Sequence, residues 1–332
     1  MIRILGAGAW GTALAALWAH PRVGVDAPTI ELIAHTAAEA SAISATRLNA
    51  RRLPGVTLPE SIRIRSVDDE LSGLGAGDLL VIAIPSDAIR GALTHVAVGG
   101  ASVVMASKGL SREGERVSEI AVAAGVIPST LFTLSGPNLA REIAAGKPAA
   151  AVLASQDGPR EDVLASLARP TFRIYTSDDP IGVEVAGALK NVLAIAVSGV
   201  RSLGYGENAA AALLSRGVAE MARLAEACGG RAESAFGLAG VGDLVLTASN
   251  TGSRNARLGE LLATGASVSV AVETIGATVE GIPTAHGALL LAARLGVELP
   301  ITAAVVAALE HGVSIERLAE GLLGRAPTAE WH

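Results

Sequence analysis

The stretch that decides the fold is Ile2 to Leu17, IRILGAGAWGTALAAL. A short apolar run leads into glycines at positions 6, 8 and 11, and an Ala- and Leu-rich helical pattern follows, which predicts strand, turn and helix. In a dinucleotide-binding unit each glycine meets a separate demand. Gly6 permits the tight turn, Gly8 lets backbone approach a pyrophosphate, and Gly11 allows the helix to pack closely on the strand. The helix amino terminus then offers free N–H groups to an anion. With 38 glycines in 332 residues the spacing alone carries little weight. The order of apolar run, turn and helix gives it meaning, against the plainer reading of a structural strand-to-helix turn.

The chain around this unit is long enough for about two domains. Half of its residues are apolar and only 2% aromatic, so its cores must be built from Ala, Val, Leu and Ile, which suits parallel strands covered by helices. A net charge of −6 without a basic block argues against nucleic acid and anionic membrane as partners. No uninterrupted apolar stretch approaches the ~18 residues of a membrane span, because Lys190, Arg216 and Arg294 break the candidates. A first strand starting at Ile2 leaves no charged region ahead of a removable apolar segment, so no signal peptide is expected. Cys228 is the only cysteine, and six scattered histidines show no metal-ligand spacing, so neither a disulfide framework nor a metal site is expected. These features predict a soluble cytoplasmic protein.

After the first helix a loop, HPRVGVDAP, leads to TIELIAH, the expected second strand. An acid at the end of that strand would bind a ribose 2′-hydroxyl. Glu31 has about the right spacing but falls inside the strand, which ends at His35-Thr36. His35 does not repel a 2′-phosphate, so NADP is permitted beside NAD and NADPH is the direction in which the residue points; a surface histidine with the ribose held by backbone is the alternative. DLLVIAIPS (78–86) and SVVMASKGL (102–110) read as buried parallel strands, the second delivering Lys108 to the edge where such sheets bind ligands. LFTLSGPNLAREIAAG (131–146) repeats strand, turn and helix with Gly136 in the turn, and AAAVLAS and TFRIYTS close the half as strands with a helix, REDVLASLA, between them.

From about Ser177 the strand signals stop. SDDPIGVEVAGALKNVLAIAVSGV starts with helix-capping residues and is apolar on nearly all sides, which predicts a buried helix with Lys190-Asn191 in its middle. A lysine there is either paired and used, with a depressed pKa, or snorkels from the helix edge. NAAAALLSRGVAEMARLAEACGG is a second long helix, with Cys228 at its end as a packing residue. FGLAGVGDLVLTASNTGSRNARLGELLATG reads as an unusual loop that leads through Gly237, Gly240 and Gly242 to Asp243. In it Ser253-Arg254-Asn255 open a helix, either as a phosphate clamp or as a Ser N-cap followed by a solvated Arg. Three further helices follow, with Glu280-Gly281 in the turn before the first. The fold class expected is an α/β Rossmann-type dinucleotide-binding domain with a mostly parallel sheet, residues 1–178, followed by an all-α C-terminal substrate domain, residues 179–332.

These segments together resemble the bacterial-type NAD(P)-dependent glycerol-3-phosphate dehydrogenases, through GAGAWGTALA, LPGVTLP, IPS, ASKGL, SGPNLAREIAAG, GVEVAGALKNVLAIA, FGLAGVGDLVLT, SRNARLG, VEG and GVELPIT. The resemblance implies reversible hydride transfer between NAD(P)H and dihydroxyacetone phosphate, supplying glycerol 3-phosphate for phospholipid synthesis, in a cytoplasmic homodimer. It makes Lys190 the general acid/base, with Lys108 and Asp243 beside it. Cofactor contacts are implied for Ala9, Trp10, His35, Lys108, Ala140, Arg254, Thr278 and Glu280, in addition to the glycine-rich turn. Substrate contacts are implied for Lys108, Gly136, Asn138, Lys190, Asp243, Ser253, Arg254 and Asn255. The chain departs from the family pattern at Asn138, where Ser or Thr is usual, at Arg52, where an aromatic is frequent, at Ala9 in place of Ser, and at Thr278 in place of Val. A ketopantoate or hydroxyacid reductase of the same two-domain plan, and a nicotinamide-binding sensor without chemistry, are the competing readings.

Overall fold

Strand β1 (Ile2–Leu5) lies inside one sheet with parallel neighbours on both sides, β2 (Ile30–Ala34) and β4 (Leu79–Ile82). The computed structural model describes residues 1–21, 27–158 and 160–324, and most of the loop HPRVGVDAP lies outside the described residues, as does the chain from 325 onward. With β3 (Ile62–Ser66), β5 (Ser102–Met105), β6 (Leu131–Ser135), β7 (Ala149–Ala154) and β8 (Phe172–Ser177), the described strands run in the order β3-β2-β1-β4-β5-β6-β7-β8. All pairs are parallel except β6 with β7. The chain therefore leaves β1 in one direction and returns to β4 on the other side, which opens a crevice at the carboxyl end of β1, the place where such sheets take a dinucleotide.

The apolar runs read from sequence became central strands because both of their faces are covered. One buried cluster contains Ile2, Ile4, Leu14, Trp18 and Phe132, and another, on the opposite face, contains Leu5, Leu80, Ile82, Val103 and Met105. Strand β3 and the helix Ala37–Thr46, which packs on it, went unread: IRIRS is an edge strand with two outward arginines, so its apolar content is too low to signal.

A third core surrounds the helix Pro180–Ser202, whose residues from Gly182 to Val200 are all buried. Lys190 interrupts its apolar run as expected; by length and mean hydropathy alone the helix is long and apolar enough to cross a membrane, but in the fold 94% of its most apolar window is buried inside the protein. Asp179 starts it by accepting from the N–H of Gly182, and also holds Arg231 N–H and the Ser234 hydroxyl. The stretch 237–253 is not a loop. Leu238–Gly242 forms a π turn that runs into the helix Asp243–Ser249, and only Asn250–Ser253 interrupts it before the helix Arg254–Ala263. Gly240 makes the turn possible, since a Cβ there would lie 2.0 Å from the carbonyl oxygen of Ala235.

Glu31 is paired across the sheet with Arg3 and accepts from its Nε at 2.9 Å and its Nη2 at 2.7 Å, with both side chains almost fully buried. Arg3 Nη1 reaches the carbonyl of Ser72 at 2.8 Å. Removing one partner leaves a buried charge uncompensated. Arg3→Met alone should therefore lower stability by about 3–5 kcal/mol, whereas Arg3→Met with Glu31→Met should recover most of the loss; urea unfolding of both variants checks this, and equal losses would show that the pairing is not what matters.

Candidate active site

Three glycines shape the mouth of the crevice. Gly6 has φ +115°, and a Cβ on it would lie 2.5 Å from Ile84 Cγ2 and 2.7 Å from the carbonyl oxygen of Ala83. A Cβ on Gly11 would lie 2.0 Å from the oxygen of Gly6, so only glycine lets the first helix, Ala9–Trp18, sit on the turn. Gly8 faces open space and caps that helix without a side chain, leaving its first turn to be satisfied by something else. Trp10 Nε1, Ser135 Oγ and Asn138 Oδ1 are buried polar atoms with no hydrogen-bond partner among the described residues. An open approach at Gly8, an uncapped helix start and an orphaned indole N–H fit a bound dinucleotide pyrophosphate and its neighbours.

At the outer end of β2 His35 is exposed, and its backbone N–H donates to Glu39 Oε2 at 3.2 Å. A carboxylate thus stands at the end of β2 on the backbone of His35, supplied by the following helix and not by Glu31. Ala140 begins the short helix Ala140–Ala144, which packs against the first helix.

The centre of the cleft is a carboxylate between two ammonium groups. Asp243 Oδ2 accepts from Lys108 Nζ at 2.7 Å and Asp243 Oδ1 from Lys190 Nζ at 3.2 Å. The side chains are 2% exposed for Asp243, 15% for Lys108 and 10% for Lys190. Lys190 is therefore paired and does not snorkel. Its second acceptor is Thr247 Oγ1 at 2.9 Å, and the second acceptor of Lys108 is the carbonyl of Gly136 at 2.8 Å. Lys108 also stands over the Trp10 ring, 5.8 Å from its centroid. Burial pushes the Lys190 ammonium down from 10.5 to about 8; Asp243 opposes the fall, and the charges of Lys108 and Arg254 add to it. Burial works against the Asp243 carboxylate, but the two lysines outweigh it and hold the group below its ordinary range. An amine near neutrality and a fixed counter-charge are the parts of a proton-transfer site.

A chain of amides registers the elements that carry these charges. Asn191 Nδ2 donates to the carbonyl of Lys108 at 2.9 Å, Asn255 Nδ2 donates to Asn191 Oδ1 at 2.8 Å, and Asn255 Oδ1 accepts from Gly281 N–H at 3.0 Å. Each link lies next to a charged residue of the cleft: Lys108, Lys190, Arg254 and Glu280. Ser253 caps the helix Arg254–Ala263 by accepting from Ala256 N–H at 3.2 Å, which uses one of its hydroxyl lone pairs. Arg254 is exposed, and its Nη1 holds the carbonyl of Thr278 at 2.6 Å, which leaves other guanidinium N–H groups for a ligand. Glu280 lies near Ser86 Oγ, 3.3 Å from its Oε2, and desolvation raises its carboxyl to about 7 against the Ser86 contacts and the charge of Arg254. Sequence reading missed Thr247, Asn191 as a link, and Ser86; Thr247 had a signal, since it follows Asp243 by one helical turn and so faces the same way.

The chain matches the family model described as NAD-dependent glycerol-3-phosphate dehydrogenase N-terminus over residues 1–160, and the C-terminus model of the same family over residues 179–320. It is 42% identical to the glycerol-3-phosphate dehydrogenase [NAD(P)+] of Methylibium petroleiphilum, covering 100% of this chain and 98% of that one. It is 40% identical to the protein of the same name from Halorhodospira halophila, covering 99% and 98%. The solved structure of glycerol-3-phosphate dehydrogenase (gpsA) from Coxiella burnetii superposes with a TM-score of 0.85 at 34% identity over 98% of each chain.

The chain has only three lysines, Lys108, Lys147 and Lys190, so their side-chain resonances can be followed one by one. Thr247→Val removes an acceptor from the Lys190 ammonium and should move its deprotonation below a pH of about 8. NMR titration of the lysine side chains checks this, and an unmoved Lys190 midpoint would take Thr247 out of the proton site.

Proposed function

The chain belongs to the NAD-dependent glycerol-3-phosphate dehydrogenase family, and from that premise we propose that Lys190 is the proton donor and acceptor of its reaction, with Asp243, Lys108 and Thr247 fixing its position and charge. The protein is an NAD(P)-dependent oxidoreductase acting on a CH–OH group, interconverting dihydroxyacetone phosphate and sn-glycerol 3-phosphate. When bound, NADH or NADPH would supply the hydride for reduction, and the oxidised form would accept it in the reverse direction. The observation that carries the residue assignment is the Lys190 ammonium, buried and hydrogen-bonded to Asp243 and Thr247 at the carboxyl edge of a dinucleotide-binding sheet.

In the reductive direction negative charge grows on the ketone oxygen. Lys190 releases its proton to that oxygen, and the Lys108 ammonium, on the other oxygen of Asp243, adds positive charge nearby. In the oxidative direction the Lys190 amine takes the hydroxyl proton. Gly6, Gly8 and Gly11 with Ala9, Trp10 and Ala140 seat the dinucleotide, and His35, Thr278 and Glu280 complete its surroundings. Arg254 holds the substrate phosphate, with Ser253 and Asn255 ordering the helix start that carries it. Gly136 and Asn138 line the substrate side, where the orphaned Asn138 Oδ1 suits a substrate hydroxyl. The reading divides the labour at residue 178, with 1–178 for the dinucleotide and 179–332 for the substrate. A cytoplasmic homodimer that feeds phospholipid synthesis is part of the same reading.

Lys190→Ala should keep cofactor affinity and lose turnover by about 10²–10⁴-fold; near-normal kcat with intact NADPH binding would overturn the assignment. Reduction needs the Lys190 ammonium and oxidation its amine. The reductive rate should therefore fall, and the oxidative rate rise, as pH passes through about 8. Arg254→Ala should raise the KM for dihydroxyacetone phosphate and leave that for dihydroxyacetone unchanged. Equal activity on non-phosphorylated ketoacids would favour the ketopantoate or hydroxyacid reductase reading.

A further inference from the structure

Lys108 stands in the loop that leaves β5, and Leu110 anchors that loop two residues later. The Leu110 side chain is fully buried in the helical core. Its carbonyl accepts from Ser86 Oγ at 3.0 Å, on the chain leaving β4, and its N–H donates to Thr284 Oγ1 at 3.3 Å, in the helix Gly281–Leu295. Thr284 is 0% exposed and Ser86 2%. Two buried hydroxyls thus take both polar backbone groups of one residue, one from the sheet and one from the helical core.

Between this anchor and Lys108 lies only Gly109. A Cβ there would lie 2.8 Å from Glu280 Oε2 and 3.1 Å from both Ser86 Oγ and Thr284 Oγ1, so three side-chain oxygens close around the backbone at this point. On the other side of Gly109 the carbonyl of Lys108 accepts from Asn191, and Ser107 Oγ donates to the carbonyl of Ile84 at 2.6 Å. From Ala106 to Gly109 the chain is neither helix nor strand, and side-chain bonds like these hold it in place. The position of the loop decides where the Lys108 ammonium can reach. Its Nζ has to meet Asp243 Oδ2 and the carbonyl of Gly136 together, at the end of a flexible four-carbon stem.

We propose that Thr284 and Ser86 are positioning residues of the reaction: by holding the N–H and the carbonyl of Leu110 they fix the backbone of Lys108, and through it the second ammonium at the proton site. The inference rests on the dehydrogenase reading for the chemistry that Lys108 serves. Both hydroxyls act on the backbone of Leu110 and not on the charges of the triad. Removing the Thr284 acceptor leaves a buried N–H without its partner, and the loop relieves that cost only by moving. A displacement of about 1 Å in a group that serves the transition state costs up to about 10²-fold in rate.

The test uses Thr284→Val, which keeps the shape and removes the acceptor, Thr284→Ser, which keeps the hydroxyl, and Ser86→Ala. The kcat and KM for dihydroxyacetone phosphate are measured at saturating NADPH, and the Kd of NADPH by fluorescence titration. Thr284→Val and Ser86→Ala should each lower kcat by about tenfold, Thr284→Val with an NADPH Kd close to that of wild type, and Thr284→Ser should keep most of the wild-type kcat. In a Lys108→Ala background Thr284→Val should cost nothing further, because residues that act through one group are not additive. A kcat within about twofold of wild type in Thr284→Val, or the same fold-loss with and without Lys108, would overturn the proposal. If Thr284→Val does not fold, Ser86→Ala taken through the same cycle decides between the same two outcomes. Should wild type fail to oxidise NADPH with dihydroxyacetone phosphate, the dehydrogenase reading falls by itself. The positioning is then read from the side-chain NMR resonances of Lys108, which Thr284→Val should displace while those of the exposed Lys147 stay in place; unmoved Lys108 resonances would overturn it.

Discussion

The structure depends on one buried carboxylate. Asp243 is removed from water and keeps its charge because Lys108 and Lys190 each hold one of its oxygens. Without it the Lys190 ammonium would lose the counter-charge that opposes the effect of its burial, which drives it toward the neutral amine. The three groups are therefore stable only together. They come from three places in the chain: the loop after β5, the middle of the helix Pro180–Ser202, and the helix that follows the π turn. The charge triad thus joins the sheet to the helical core, and the shape of the cleft is fixed by electrostatics that would fail if the two parts were set differently.

Two further contacts reinforce that register. Glu184 lies within two turns of Lys190 on the same helix. It accepts from the N–H of Ser118 at 2.7 Å, from its hydroxyl at 2.6 Å, and from Arg116 at 3.2 Å. This caps the start of the helix Val117–Ala123, which packs on the sheet, with a side chain from the helical core. On the other side Asn191 and Asn255 carry the connection from the Lys108 loop to the helix bearing Arg254 and on to Gly281. The central helix is gripped above and below Lys190, so the position of the Lys190 amine is inherited from backbone geometry and owes little to its own flexible side chain.

Much of this was legible in the sequence, for reasons that differ by element. The inner strands have two covered faces and spell themselves as apolar runs, and Gly6, Gly8 and Gly11 announce a turn whose steric demands admit little else. Lys190 was conspicuous because a lysine in an apolar helix has to be explained, but its partners were not named by the helix. What remained hidden depended on register or on backbone form. Glu31 could be placed inside a strand, yet its buried partner Arg3 emerges only once β1 and β2 are aligned. Strand β3 was lost because an edge needs only one apolar face. The glycines before Asp243 were read as loop punctuation, whereas here they permit a π turn too crowded for a Cβ at Gly240. Asn255 read as a phosphate ligand because its helix-start position suits one; that its amide also bridges Asn191 and the N–H of Gly281 appears only in the fold.

The scarcity of aromatics, which first suggested a core of small aliphatic residues, has a consequence at the site itself. The amide link between Asn191 and Asn255 can form only if two helices approach closely. At Gly259 a Cβ would lie 2.1 Å from the carbonyl oxygen of Ile195, and at Gly281 one would lie 2.7 Å from Ile195 Cδ1 and 2.8 Å from Asn255 Oδ1. Gly187, one turn before Lys190, leaves no more room, with the Ser135 hydroxyl 2.6 Å from where its Cβ would be. Helices that meet through glycine exchange side-chain burial for backbone proximity, and what they gain is that short polar side chains can bridge them. A longer residue at the junction would force the amides apart and, with them, the relative positions of Lys190 and Arg254. The spacing between the Lys190 ammonium and the Arg254 guanidinium is thus set by glycines that touch neither.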